Sequence, residues 1–134
     1  MSVRQSQQDS YIAGQSSAPL AIGMWQANNT PAAAAQASIV KAAGAAGVTH
    51  VLYGVVATYA AGATAGTPLT VQVLDGASVI FTAAISTPAN GVGVVQVMGL
   101  NIPGTAATSM TLQFSGAGAA ATQQAVTLIG YDVV

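Results

Sequence analysis

The sequence predicts an all-β fold, an antiparallel two-sheet sandwich over residues 35–134 preceded by an extended N-terminal arm over residues 1–34. Three observations carry this expectation. From about residue 35 the chain is written in runs of roughly five to ten residues rich in Val, Ile, Thr and Tyr, separated by Gly, Ala, Pro and Asn. Several runs alternate apolar and polar residues with period two, as a sheet with one face in a core requires. No segment combines the length and the 3.6-residue period of an amphipathic helix.

The elements follow in order. PAAAAQA at 31–37 is Ala-rich, but it runs into Ser38-Ile39-Val40 and then GAAG, which leaves room for a turn only. Strands are expected over Ala35–Ala42, His50–Ala60, Pro68–Leu74, Ser78–Ser86, Gly93–Ile102, Ser109–Ser115 and Gln124–Val133. Leu69, Val71 and Val73 point one way and Thr70 and Gln72 the other; Met110, Leu112 and Phe114 alternate likewise with Thr111 and Gln113. Asp75-Gly76 suggests a two-residue hairpin turn. That register opposes Val73 to Ser78, whereas an odd loop centred on Gly76 pairs Val73 with Val79, Val71 with Phe81 and Leu69 with Ala83. The apolar pattern favours the odd loop, because a one-residue slip reverses every side chain.

With 134 residues the chain suits one domain. It has no Cys, which excludes disulfides and thiolate metal sites and fits a reducing compartment. Charged residues are 4% of the chain, against about a quarter in ordinary soluble domains. They are Arg4, Asp9, Lys41, Asp75 and Asp132. A net charge of −1 provides no basic footprint for nucleic acid or anionic membrane, so neither is expected as a partner. The mean hydropathy of +0.59 comes largely from Ala, Val and Gly; the most apolar run, Val51 to Gly62, is too short to span a bilayer. MSVRQSQQDS lacks the apolar stretch of a secretory signal. Where strands turn outward they present Thr, Ser, Gln and Ala, not the Lys and Glu that usually protect free sheets. Such a surface suits assembly.

An inventory of chemistry argues against an enzyme. His50 is the only histidine, so no multi-His metal site exists, and three carboxylates far apart in sequence make no acid–base pair. His50 with Asp75 or Asp132 and a serine makes a triad only on paper, without a G-x-S-x-G elbow to support it. His50 reads as a structural or rim residue and Asp75 as part of its turn. Gly91-Val92-Gly93 has no following helix or Lys and reads as a loop entering a strand, not a phosphate cradle. No catalytic, cofactor-binding or metal-binding residues are expected, and no cofactor.

The arm is Gln- and Ser-rich and aperiodic, yet it carries Leu20, Ile22, Met24 and Trp25. These four are the expected interface residues, ordering against a neighbour, and removal of residues 1–30 is expected to leave the β domain folded. Among the aromatics, Tyr53, Tyr59 and Tyr131 lie in strands and read as buried. Trp25 reads as a contact. Trp25-Gln26-Ala27-Asn28-Asn29 is also the one local run that fits a carbohydrate- or receptor-binding platform, the alternative function on a tail or head fibre.

KAAGAAGVTHVLYGVVATY, PLTVQVLDGASVIF and the closing SGAGAAATQQAVTLIGYDV together resemble small jelly-roll virion proteins of tailed bacteriophages. The likeness covers about residues 35–134 and lies in arrangement: a Gly/Ala turn into a His-initiated strand, an xDGxxVI hairpin, and a last strand with a Gly-Tyr pair. The resemblance implies a capsid decoration (cement) protein, a homotrimer bound to the major capsid protein lattice on the outer surface of the virion, resident in the host cytoplasm before assembly. It transfers no catalytic residues. Low Lys and Glu content departs from better-charged members and leaves head or tail location open. An immunoglobulin-like sandwich is the alternative topology, without its Cys…Trp…Cys spacing.

Overall fold

The computed structural model describes residues 23–134, which form nine strands and no helix. The strands are β1 (Met24–Asn29), β2 (Ser38–Lys41), β3 (Thr49–Ala60), β4 (Leu69–Asp75), β5 (Ser78–Ile85), β6 (Val92–Val97), β7 (Ile102–Pro103), β8 (Met110–Phe114) and β9 (Gln123–Val133). They make two antiparallel sheets. One has the order β1-β9-β3-β6, with the two-residue β7 also on β3; the other is β2-β8-β4-β5.

The connectivity is nested. The β4–β5 hairpin is enclosed in sequence by the pair β3–β6, that pair by β2–β8, and that by β1–β9. Successive pairs fall on alternate sheets, so one long antiparallel ribbon is rolled into a sandwich. This is the jelly-roll arrangement, and it decides against the immunoglobulin-like alternative.

Sequence alternation fixes which face is inside. Leu69, Val71 and Val73 of β4 and Met110, Leu112 and Phe114 of β8 are buried, as their period predicts. Val55, Ala57 and Tyr59 of β3, with Val126 and Leu128 of β9, cover them from the other sheet. In β3 the alternation breaks: Val51 and Leu52 are both buried. There the ladder pairs Ile129 with Gly54 but Gly130 with Leu52, so Tyr53 is an extra residue that resets the faces.

The hairpin register differs from the odd-loop expectation. Asp75 pairs with Ser78 across a two-residue turn, with Gly76 at its first central position and φ at 61°, a conformation glycine adopts without steric penalty. Leu74 then pairs with Val79, but Val73 pairs with Phe81, leaving Ile80 as a bulge. The turn residues demand one register and the apolar pattern another, one residue apart; the bulge satisfies both. Phe81 consequently lies opposite Val73, not Val71, and is half-buried on an edge strand.

The 34/35 boundary is likewise corrected. Met24–Asn29 is a strand of the first sheet, paired residue by residue with β9 from Val126↔Asn29 to Tyr131↔Met24. Its six residues alternate inward and outward, but Trp25, Ala27 and Asn29 are too mixed in polarity for the period to register in the sequence. The following turn is tied down by side-chain amides. Gln123 donates to Pro31 O, and the buried Gln124 accepts from Ala37 N–H at 2.8 Å while donating to Gly116 O at 3.1 Å.

Candidate functional site

At one end of the sandwich, β1, β2, β3 and β9 bring together the only tryptophan, the only histidine and two of the five charged residues. His50 is the second residue of β3 and 2% exposed. Directly across the ladder from it stands Asp132 of β9. His50 Nδ1 lies 2.6 Å from Asp132 Oδ1, and Nε2 lies 2.7 Å from the carbonyl oxygen of Ala42. A carbonyl oxygen only accepts, so Nε2 carries a hydrogen. The indole of Trp25 donates to the same Asp132 Oδ1 at 2.7 Å, and its ring meets the imidazole edge-to-face with centroids 5.4 Å apart. Lys41 Nζ sits 5.2 Å from the centre of the Trp25 ring, a cation–π distance.

Burial opposes ionisation of Asp132. The hydrogen bonds from His50 and Trp25, with the charges of His50 and Lys41, outweigh it and hold the carboxyl below its ordinary value of 3.8. Trp25 also explains a glycine. Gly130 pairs with Trp25 across the ladder, and a Cβ there would stand 2.5 Å from the indole and 2.6 Å from Val51 O. The glycine of the Gly-Tyr pair in the last strand is thus a seat for the indole.

Of the four expected interface residues, Leu20 and Ile22 lie outside the described residues. Met24 is 42% exposed on the outer face. Trp25 is turned inward, half-buried against the core. Its ring and its N–H are both used within the domain, because alternation along β1 points residue 25 at Gly130 and His50.

The structure brings His50 and Asp132 together, as the paper triad supposed. The ring's other nitrogen, however, faces the Ala42 carbonyl and not a hydroxyl. Asp75 is elsewhere, accepting from Thr105 N–H and Thr105 Oγ1–H and thereby tying the loop after β7 to the β4–β5 hairpin. Among the described residues no three His, Asp or Glu side chains gather as metal ligands, and no helix is long and apolar enough to cross a membrane. Tyr59 is buried; Tyr53 and Tyr131 are only half-buried, and Tyr131 donates to Asn101 Oδ1 on the surface.

Sequence reasoning missed Asp132 and Lys41 as partners of Trp25. The alternation of β9 held the signal for Asp132: residues 124, 126, 128 and 130 face inward, and 132 continues that row.

The outer edges form the second part of the site. Among the described residues the four longer edge strands are β1 and β6 of one sheet and β2 and β5 of the other, the two-residue β7, which carries Pro103, being a further short edge on β3. Each of the four bears an exposed large apolar residue: Met24 on β1, Val92 and Val94 on β6, Val40 on β2, and Val79 on β5. Next to β6, Met98 is half-exposed, its thioether covering Gly54 beside Ile129. The only charge on any edge strand is Lys41, and it leans over Trp25. No family model, curated protein or solved structure matches the chain.

Proposed function

We propose that this chain is a non-enzymatic structural protein of a virion, a capsid decoration or cement protein of a tailed bacteriophage. In this reading it assembles as a homotrimer and binds the lattice of the major capsid protein on the outer surface. The observation that carries the proposal is the set of four uncharged or nearly uncharged edge strands, each with an exposed apolar side chain. Free-standing sheets normally block their edges with Lys, Pro or inward charges, since unpaired N–H and C=O groups template association. A protein whose described edges carry a single charge and several exposed apolar side chains suits a covered surface. Weak contacts repeated over a lattice then accumulate through multivalency. The jelly roll, shared by capsid and lectin domains alike, is compatible with the proposal without selecting it.

The test is to add full-length protein to particles stripped of it and image them. Density on the outer head surface supports the reading. Attachment only to the tail, or none at all, overturns it. Val94→Glu and Val40→Glu each place a charge on an edge without touching the core, and at least one is expected to abolish attachment while leaving the fold intact. The alternative, a glycan platform at Trp25, would have to use a half-buried ring already in contact with His50 and Lys41.

A further inference from the structure

His50 makes a contact that is favourable in only one proton state. Both ring nitrogens face oxygen acceptors, Ala42 O at 2.7 Å and Asp132 Oδ1 at 2.6 Å. With Nε2 protonated for the carbonyl, Nδ1 either carries a second hydrogen or points a lone pair at a carboxylate oxygen. At 2.6 Å the second arrangement is repulsive. Asp132 cannot relieve it by holding the proton itself without losing charge-assisted bonds. Its Oδ1 also accepts from Trp25, with Lys41 near the same indole, and both favour the carboxylate. The ring is therefore doubly protonated when the contact is made. His50 is too buried for water to replace either partner.

The surrounding groups isolate this proton. From β9 the imidazole meets Asp132 and from β1 Trp25, while Lys41 at the end of β2 sits over the Trp25 indole. Behind it, Gly104 N–H donates to the His50 carbonyl. Beyond Gly104, Asp75 is occupied by Thr105. Asp132 is the one carboxylate hydrogen-bonded to the imidazole. It is also a link to β1, which among the described residues is held by its ladder to β9, by the Asp132 N–H bond to Gly23 O and by the bond from Asn29 Nδ2 to Ser38 O.

We infer that His50 and Asp132 form a proton-dependent clasp on strand β1. With the imidazole doubly protonated, Asp132 is held in place and grips the Trp25 indole N–H over Gly130. When the ring gives up its second proton to solvent, Nδ1 and the carboxylate repel, Asp132 swings toward water, and Trp25 loses its anchor. The clasped state binds one more proton than the open state, so rising pH favours opening. The rest of the sandwich, held by β3, β4, β8 and β9, stays folded. The inference stands apart from the proposed virion role.

One Trp and one His make the test direct on the full-length protein. Nitrogen-detected NMR follows the imidazole, Trp25 emission follows the indole, and amide exchange follows β1. In the clasped state both ring N–H groups of His50 are expected to be present. As rising pH removes the second ring N–H signal, Trp25 emission shifts red in step with it. Protection of the β1 amides, corrected for intrinsic exchange, falls about tenfold or more while that of Val71 and Leu112 holds. His50→Gln is expected to abolish the pH dependence of the emission. If that variant does not fold, the wild-type titrations decide alone. A singly protonated His50 in protein whose β1 amides stay fully protected overturns the clasp. So does Trp25 emission that stays constant while His50 titrates, or a ring that keeps both protons until the whole domain unfolds.

Discussion

Gly130→Ala tests whether the Trp25 seat is built as described. A single methyl at residue 130 meets two indole carbons, at 2.5 and 2.6 Å, and the Val51 carbonyl oxygen at 2.6 Å. An ordinary contact begins near 3.4 Å, so about 0.8–0.9 Å must be found on both sides. The Val51 carbonyl belongs to central strand β3 and yields little. The indole can move, but only by leaving Asp132 and His50. Overpacking of this kind typically costs about 1–3 kcal/mol, and a lost hydrogen bond to a charged group about 1.5–3 kcal/mol. The expected destabilisation is therefore about 3–5 kcal/mol. For a domain of this size roughly 4 °C of Tm is lost per kcal/mol, which predicts a fall of about 12–20 °C. Thermal unfolding is followed by far-UV circular dichroism and by Trp25 emission. Gly116→Ala is the control, since the nearest atom to its added Cβ is Leu69 Cδ2 at 3.8 Å; it should stay within about 0.5 kcal/mol. A Trp25→Ala background should remove the indole's share of the penalty and leave that of Val51. Equal losses for the two glycine variants, or full additivity with Trp25→Ala, refute the seat.

Other outcomes are expected from the same structure. Phe114→Ala, fully buried, should cost about 3–5 kcal/mol in urea unfolding. Half-buried Phe81→Ala should cost clearly less, and exposed Thr82→Ala less than about 1 kcal/mol. Ala107 and Ala121 hold φ at 55° and 60°, where a Cβ is strained, so Ala107→Gly and Ala121→Gly should leave the unfolding free energy measured in urea unchanged or raise it by up to about 1 kcal/mol. Asp132 is held below its ordinary 3.8, so the stability it confers is present above that pH and is lost as pH falls through its lowered folded value; urea midpoints should drop across that window in wild type and not in Asp132→Asn. Deleting residues 1–30 removes β1, uncovers Gly130 and should lower Tm, followed by far-UV circular dichroism.

The sequence alone determined the fold class and most of the strands, because period-two alternation is a local property that reports which face is buried. Leu69/Val71/Val73 and Met110/Leu112/Phe114 needed no tertiary information. The absence of Cys, the single His and the five charges were equally legible. What only the tertiary structure decided depends on pairings distant in sequence. Trp25 and Asp132 are 107 residues apart, and only the closing of the nested ribbon brings β1 beside β9. Hence Trp25 read as a contact on a tail when it is an internal anchor, and Gly130 read as punctuation when it is a seat. The hairpin register failed for a related reason. Turn chemistry and hydrophobic pattern are separate constraints on one ladder, and a sequence does not show that an extra residue, Ile80, reconciles them. Local pattern specifies which face a side chain takes; which partner it meets there is set by chain topology, and that is written in no single segment.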